Sequence, residues 1–388
     1  MIRCLRILIA PDKFKGSLTA AEAAIAITRG IERAMPHTEI DCFPMADGGE
    51  GTVEALVAAA GGKILRCKVC GPLGKRVTAR FGLLPNRVAV IEMAEASGLH
   101  LVPPRLRNPM RTTTYGTGEL ICAAMKLGCH EIIVGIGGSA TTDGGAGMAQ
   151  AVGFQFFDKE GRRLAKPLSG GDLDRIARIA EGNSKLQTLN SKIIIASDVS
   201  NPLLGKYGAA RVFGPQKGAT PAMVAHLERN LRHFARIVVR DLTIQHFDAS
   251  TLSRLSGSGA AGGLGFGLRA FLSAEMQSGA EIIMNYGQFE DRLRLADLVI
   301  TGEGKLDEQS LAGKAPVMVA QRAKEFDLPV LALAGSVAAS DRALRRHGID
   351  AAAAIKTSDM SLDYAMQNAA RLLEDTVAKT VTNFVVRD

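Results

Sequence analysis

Seven short apolar runs, at 7–10, 40–45, 131–134, 193–196, 298–300, 330–334 and 351–355, are separated by longer stretches with helical periodicity. That alternation constrains the fold more than any other feature, because it is the pattern of βαβ units around a mostly parallel sheet. Helices are expected over 19–34, with Ser17 or Thr19 as N-cap and Pro36 beyond the end, over 52–60 before Gly61-Gly62, and over 118–127, 221–240 and 361–379. Between 63 and 93 the rhythm changes. Runs at 64–69, 77–81 and 88–91 follow one another across Gly/Pro turns at 71–74 and 84–86, which predicts an antiparallel excursion. The first rhythm resumes after Gly279. A chain of 388 residues also exceeds one ordinary core. The expectation is an α/β protein of two domains, a discontinuous parallel-sheet domain from 1–75 and 281–388, and an inserted second α/β domain with Gly-rich loops from 76–280.

Composition narrows the function. With 47% hydrophobic and 22% charged residues the chain reads as globular. No apolar run approaches the roughly 18–20 residues of a membrane helix, and the N-terminus reads as a first strand without a cleavage site, so a cytoplasmic protein with no membrane partner is expected. The net charge of +8 is dispersed and only 5% of residues are aromatic, which argues against nucleic acid and for an anionic small molecule. Six cysteines make no disulfide framework. Cys4, Cys42, Cys122 and Cys129 are expected as small core residues, and Cys67 and Cys70, a lone CxxC, as strand.

One phrase occurs twice, as Asp47-Gly48-Gly49-Glu50-Gly51 and Asp143-Gly144-Gly145-Ala146-Gly147, each leading into a helical run. Glycines beside an acid let backbone amides approach a phosphate, although a single copy is equally a helix N-cap. Further Gly-rich stretches, Gly137-Gly138-Ser139, Gly257-Ser258-Gly259 and Gly302-Glu303-Gly304-Lys305, suggest one polyanion site. Gly137, Gly138, Ser139, Asp143, Gly257, Ser258 and Gly259 are the nucleotide- or phosphate-binding candidates. Gly135 to Ala140 also spells a dinucleotide fingerprint with Asp158 downstream. An NAD(P)-dependent oxidoreductase of a small hydroxy acid is therefore the rival reading, and a non-catalytic sugar-acid binding protein a third. Against the oxidoreductase, the segment continues Thr141-Thr142-Asp143-Gly144-Gly145 where a Rossmann helix would already be forming.

Phosphoryl transfer needs cations for the phosphates, acids for Mg²⁺, and an acceptor for the hydroxyl proton. Neither GxxxxGK[ST] nor the kinase His-Arg-Asp triplet is present, so any such chemistry uses another framework. Acids stand at strand ends, where open α/β sheets collect ligands: Asp12 after 7–10, Asp198 after 193–196, and Glu303 and Asp307 around Lys305 after 298–300. Asp198 is the expected base, Asp47 and Asp307 the Mg²⁺ ligands, and Lys15 and Lys305 the cations that neutralise charge in the reaction. Lys13, Lys15 and Asp47 are expected to hold the substrate. A turn-forming Asp198 before Asn201-Pro202, and solvated lysines, are the structural alternatives.

Several of these stretches together resemble one family. Ala10-Pro11-Asp12-Lys13-Phe14-Lys15-Gly16-Ser17-Leu18, Met45-Ala46-Asp47-Gly48-Gly49-Glu50-Gly51-Thr52, residues 135–148, Ser197-Asp198-Val199-Ser200-Asn201-Pro202-Leu203-Leu204-Gly205, Phe213-Gly214-Pro215-Gln216-Lys217-Gly218-Ala219 and residues 301–310 are similar to the bacterial glycerate kinases of the type-1 (glycerate 2-kinase) family, in order and along the whole chain. The resemblance implies a flavodoxin-like domain built from both chain ends with a second domain inserted. It also implies ATP-dependent phosphorylation of D-glycerate to 2-phospho-D-glycerate, for which the chemistry of phosphoryl transfer leads us to expect Mg²⁺. In-line transfer in a cleft between the domains is the expected mechanism. A homo-oligomer is left open.

Overall fold

The computed structural model describes residues 4–46, 48–182, 191–242, 249–311 and 313–385. In chain order its strands are β1 (Arg6–Pro11), β2 (Glu39–Cys42), β3 (Lys63–Cys70), β4 (Arg76–Leu84), β5 (Val88–Glu92), β6 (Glu131–Gly135), β7 (Gln155–Phe157), β8 (Arg178–Ala180), β9 (Lys192–Ala196), β10 (Glu275–Gln277), β11 (Leu298–Leu306), β12 (Val330–Val337) and β13 (Ala351–Ala354). The chain divides into two compact units, Met1–Asp47 with Ala58–Ala60 and Ala280–Asp388, and Gly48–Val57 with Gly61–Gly279.

In the first unit the sheet order is β13-β12-β11-β1-β2, with every pairing parallel. Counted within the unit this is 2-1-3-4-5, the flavodoxin-like order. β1 is a continuous apolar run because both its faces are covered, and Ile7, Leu8, Ile9 and Ala10 are at most 1% exposed. The helix Ala20–Ala34 starts on a capping box formed by Thr19 and Glu22, which satisfies two amides that no helical carbonyl can reach. It buries Ala23, Ile27 and Ile31 in a core shared with Leu373 and Val377 of the last helix, Ala369–Val385. Gly30 permits that approach, since a Cβ there would lie 2.4 Å from the Glu374 carbonyl. The single helix expected over 361–379 is instead two, Leu362–Gln367 and Ala369–Val385.

The second unit holds a six-stranded sheet ordered β10-β9-β6-β5-β4-β3. Its first four strands pair in parallel, and β4 runs antiparallel to both of its neighbours, β5 and β3. β3 pairs with β4 from Lys63↔Leu83 to Cys70↔Arg76, so residues 63–70 belong here and the chain changes units near 48 rather than near 75. The antiparallel pair β7–β8 was not foreseen, each strand being only three residues long. Helix Pro221–Asp241 contributes Phe234 to a cluster with Phe156, Phe266 and Phe271. Cys122 and Cys129 are buried as expected, whereas Cys4 and Cys42 are exposed. Among the described residues no helix is long and apolar enough to cross a membrane.

Candidate functional site

In a 2-1-3-4-5 sheet the chain turns to opposite sides after strands 1 and 3, and a crevice opens beyond their carboxyl ends. In the first unit these are β1 and β11. A cavity of about 480 Å³ lies there, lined by Asp12, Lys13, Lys15, Ser17, Glu303, Lys305, Lys314, Ser336 and Lys356 among others. Five lysines facing two carboxylates make it a site for a polyanion. Asp12 and Glu303 follow the last register pair between β1 and β11, Pro11↔Gly302, and the Asp12 amide donates to the Gly302 carbonyl at 2.8 Å. Both acids are buried, at 6% and 7% exposure. Glu303 Oε1 is buried without a hydrogen-bond partner among the described residues, while Oε2 lies 3.7 Å from Lys314 Nζ. Burial raises the Glu303 carboxyl above its usual range, with Ser310 and Lys314 pulling the other way. A buried carboxylate oxygen with no donor is costly, and a bound cation removes that cost.

The sequence Gly302-Glu303-Gly304-Lys305, expected as a loop, is strand. β11 runs on to Leu306, because Gly302 and Gly335 let β11 and β12 approach where a Cβ would meet the Leu333 and Gly304 carbonyls at 2.1 and 2.3 Å. Gly304 also lies under the Asp12–Ser17 turn, where its Cβ would stand 3.2 Å from the Lys15 amide nitrogen. Lys305 Nζ sits 3.0 Å from Asp307 Oδ2. That contact first, then the Ser310 amide, holds the Asp307 carboxyl down to about 2. Asp307 is thus engaged with Lys305 and Ser310, and it is not one of the residues that line the cavity. Asp47, the other expected metal ligand, lies outside the described residues.

In the second unit the carboxyl ends of β5, β6 and β9 gather three loops. Gly48 rests on the Ala196 carbonyl, 2.3 Å from where its Cβ would be, and Gly137 would place a Cβ 2.6 Å from Gly49 Cα. Asp198 is exposed beyond the end of β9. Glu92 ends β5 and was missed in the sequence, although the strand-end rule applied to Asp12 and Asp198 would have found it. Its Oε1 accepts from the amides of Gly51 at 3.1 Å and Val53 at 2.9 Å, capping helix Thr52–Ala60, whose N-cap Gly51 supplies no side-chain bond. Burial, chiefly, raises the Glu92 carboxyl to about 7. The folded protein therefore holds this proton more tightly than the unfolded chain, and stability falls as pH rises from roughly 4.5 to 7. Glu92→Gln keeps the acceptor and removes the charge. Its melting temperature at pH 8 should equal or exceed wild type, with a flatter pH dependence between 5 and 7. A marked drop at pH 8 in thermal melts would show that the charge itself stabilises the cap.

Asp143 is 0% exposed and turned inward. Its carboxylate accepts from the Thr114 amide and hydroxyl, both at 2.8 Å, and from the Gly145 and Gly147 amides at 3.2 and 3.4 Å. The second Asp-Gly-Gly phrase is thus the cap considered as its alternative, with those amides bonded to Asp143 itself rather than to a phosphate. Gly257, Ser258 and Gly259 are likewise internal. A Cβ at Gly257 would meet Met276 Sδ at 2.2 Å, and the Gly259 amide donates to the Asn201 carbonyl at 2.9 Å. The loop at Gly137, Gly138 and Ser139 differs. Gly138 is exposed, and among the described residues no hydrogen bond is donated by the Gly138 or Ser139 amides. Gly138 has φ +72°, so Gly138→Val should cost about 1–3 kcal/mol of stability from backbone strain. Calorimetry on this variant should show a lowered melting temperature, and an unchanged melt would mean the loop relaxes to a conformation open to any residue.

The fold and the cavity define an α/β enzyme of anionic small molecules. The family model of the glycerate kinase family matches residues 7–385. A glycerate kinase of Halalkalibacterium halodurans is 48% identical over 369 residues, covering 95% of each chain. A glycerate 2-kinase of Escherichia coli is 45% identical over 366 residues, covering 94% of each. A solved structure described as a candidate glycerate kinase 2 of Salmonella typhimurium LT2 superposes with a TM-score of 0.84 at 44% identity, covering 99% of each chain. The chain belongs to the glycerate kinase family. Neither the oxidoreductase nor the binding-protein reading is supported.

Proposed function

We propose that this protein is an ATP-dependent kinase that phosphorylates D-glycerate at its 2-hydroxyl, releasing ADP and 2-phospho-D-glycerate in the cytoplasm, where ATP is made. The observation that carries the reading, beside family membership, is the lysine-lined cavity at the carboxyl ends of β1 and β11. Its excess of cations suits a triphosphate better than the single charge of glycerate. Lys15 and Lys305 neutralise charge on the phosphates, with Lys13, Lys314 and Lys356 around them. Glu303 Oε1, without a hydrogen-bond partner among the described residues, and Asp12, which lines the same cavity, fit Mg²⁺, which when bound screens the phosphate charge and orients the γ-phosphoryl group. Asp198 accepts the proton of the attacking hydroxyl. Gly137, Gly138 and Ser139 of the second unit bind an oxyanion of one of the two substrates. Release of ADP should require D-glycerate, ATP and Mg²⁺ together, and nicotinamide cofactors should give no absorbance change with glycerate. ADP release that is indifferent to glycerate would refute the reading.

A further inference from the structure

A lysine buried in the second unit, Lys217, has no part in the phosphoryl transfer proposed above. It is 1% exposed, and its Nζ donates to Ser139 Oγ at 2.7 Å and to the Thr141 carbonyl at 2.6 Å. The backbone that carries it is fixed on both sides. The Lys217 amide donates to the Gly214 carbonyl at 3.0 Å, and Gly218, at φ +88°, presses on the Arg107 carbonyl, 2.4 Å from where a Cβ would be. Burying an amine this deeply is costly, and its desolvation lowers it to about 7 against the pull of Asp143. A structural anchor for Thr141 alone would not need a cation.

The consequence lies in Ser139. A hydroxyl has one hydrogen to give and two lone pairs, whereas lysine in the protonated form that Asp143 favours only donates. With one lone pair of Ser139 Oγ held by Lys217, the hydroxyl hydrogen turns away from it. The neighbouring Gly138 and Ser139 amides also lack an acceptor among the described residues. We propose that Lys217 is a positioning residue which fixes the Ser139 hydroxyl as a donor, completing with those two amides a three-donor cradle for an oxyanion. The oxyanion is the carboxylate of the acid substrate or a phosphate of ATP, which share this chemistry. The inference rests on the reading of Gly137–Ser139 as an anion-binding loop.

A double-mutant cycle of Lys217→Met, Ser139→Ala and the double variant in the full chain, with KM measured separately for D-glycerate and for ATP, tests it. Each single variant should raise one of the two KM values by about 10-fold or more, the loss expected for a hydrogen bond to a charged group. The double variant should be no worse in that KM than Ser139→Ala alone, within about 2-fold. A rise confined to glycerate assigns the carboxylate, and one confined to ATP assigns the phosphate. If Ser139→Ala leaves both KM values unchanged, the loop is not an anion site and the underlying reading falls with the proposal. If Ser139→Ala raises a KM while Lys217→Met does not, or the two effects multiply, the loop reading stands and the role of Lys217 is overturned. Should Lys217→Met melt below assay temperature, Lys217→Gln, which retains N–H donors, takes its place. Recovery of the KM toward wild type then supports positioning, and a KM no better than Ser139→Ala overturns it.

Discussion

Replacing Glu303 with Gln should lower kcat by about 10²–10³ while the melting temperature stays at or above wild type. The substitution keeps the volume of a side chain that is 7% exposed, and it removes a carboxylate whose Oε1 has no internal donor among the described residues. Loss of the charge therefore removes no internal hydrogen bond at that oxygen, and the effect should fall on the cation proposed to bind there. The requirement for Mg²⁺ should move to higher concentration in the same variant, because Asp12 alone remains of the pair. Steady-state ADP release across a Mg²⁺ titration measures both effects. A Glu303→Gln enzyme with half the wild-type turnover and an unaltered Mg²⁺ dependence removes the cation from this site.

For Asp198→Asn, turnover should fall by about 10² or more, the usual contribution of a positioned base. Asp198 is exposed at the end of β9, so any loss of stability should be small beside the loss of turnover, about 1 kcal/mol or less. That combination separates a base from a turn-forming residue, whose loss would appear in the melt before it appeared in kcat. Retention of half the wild-type turnover rules the assignment out.

Much of this was legible because βαβ rhythm is local. The apolar runs at 7–10, 131–134, 193–196 and 330–334 became β1, β6, β9 and β12 with ends shifted by only a few residues. Strand order was not legible, since spacing along the chain does not state which strand β1 pairs with, and the 2-1-3-4-5 order that opens the crevice entered only through family resemblance. The strand-end rule points to Asp12, Glu303 and Asp198, and it extends equally to Glu92, the last residue of β5, and to Lys356, two residues beyond β13. Asp143 shows the limit of spelling. Asp-Gly-Gly describes an outward loop and an inward cap equally well, and only Thr114, brought from 29 residues away, decides between them. Lys217 carried no signal of burial at all: Pro215-Gln216-Lys217-Gly218 reads as an exposed turn, and its burial follows from tertiary packing.

The most direct test of the central claim is the proton-coupled phosphorus NMR spectrum of the product formed from ATP, Mg²⁺ and D-glycerate. A phosphate on the 2-oxygen has one proton on its carbon and gives a doublet, whereas one on the 3-oxygen has two and gives a triplet. A new doublet that grows as ADP appears is expected. A triplet, or ADP accompanied only by inorganic phosphate, would contradict it.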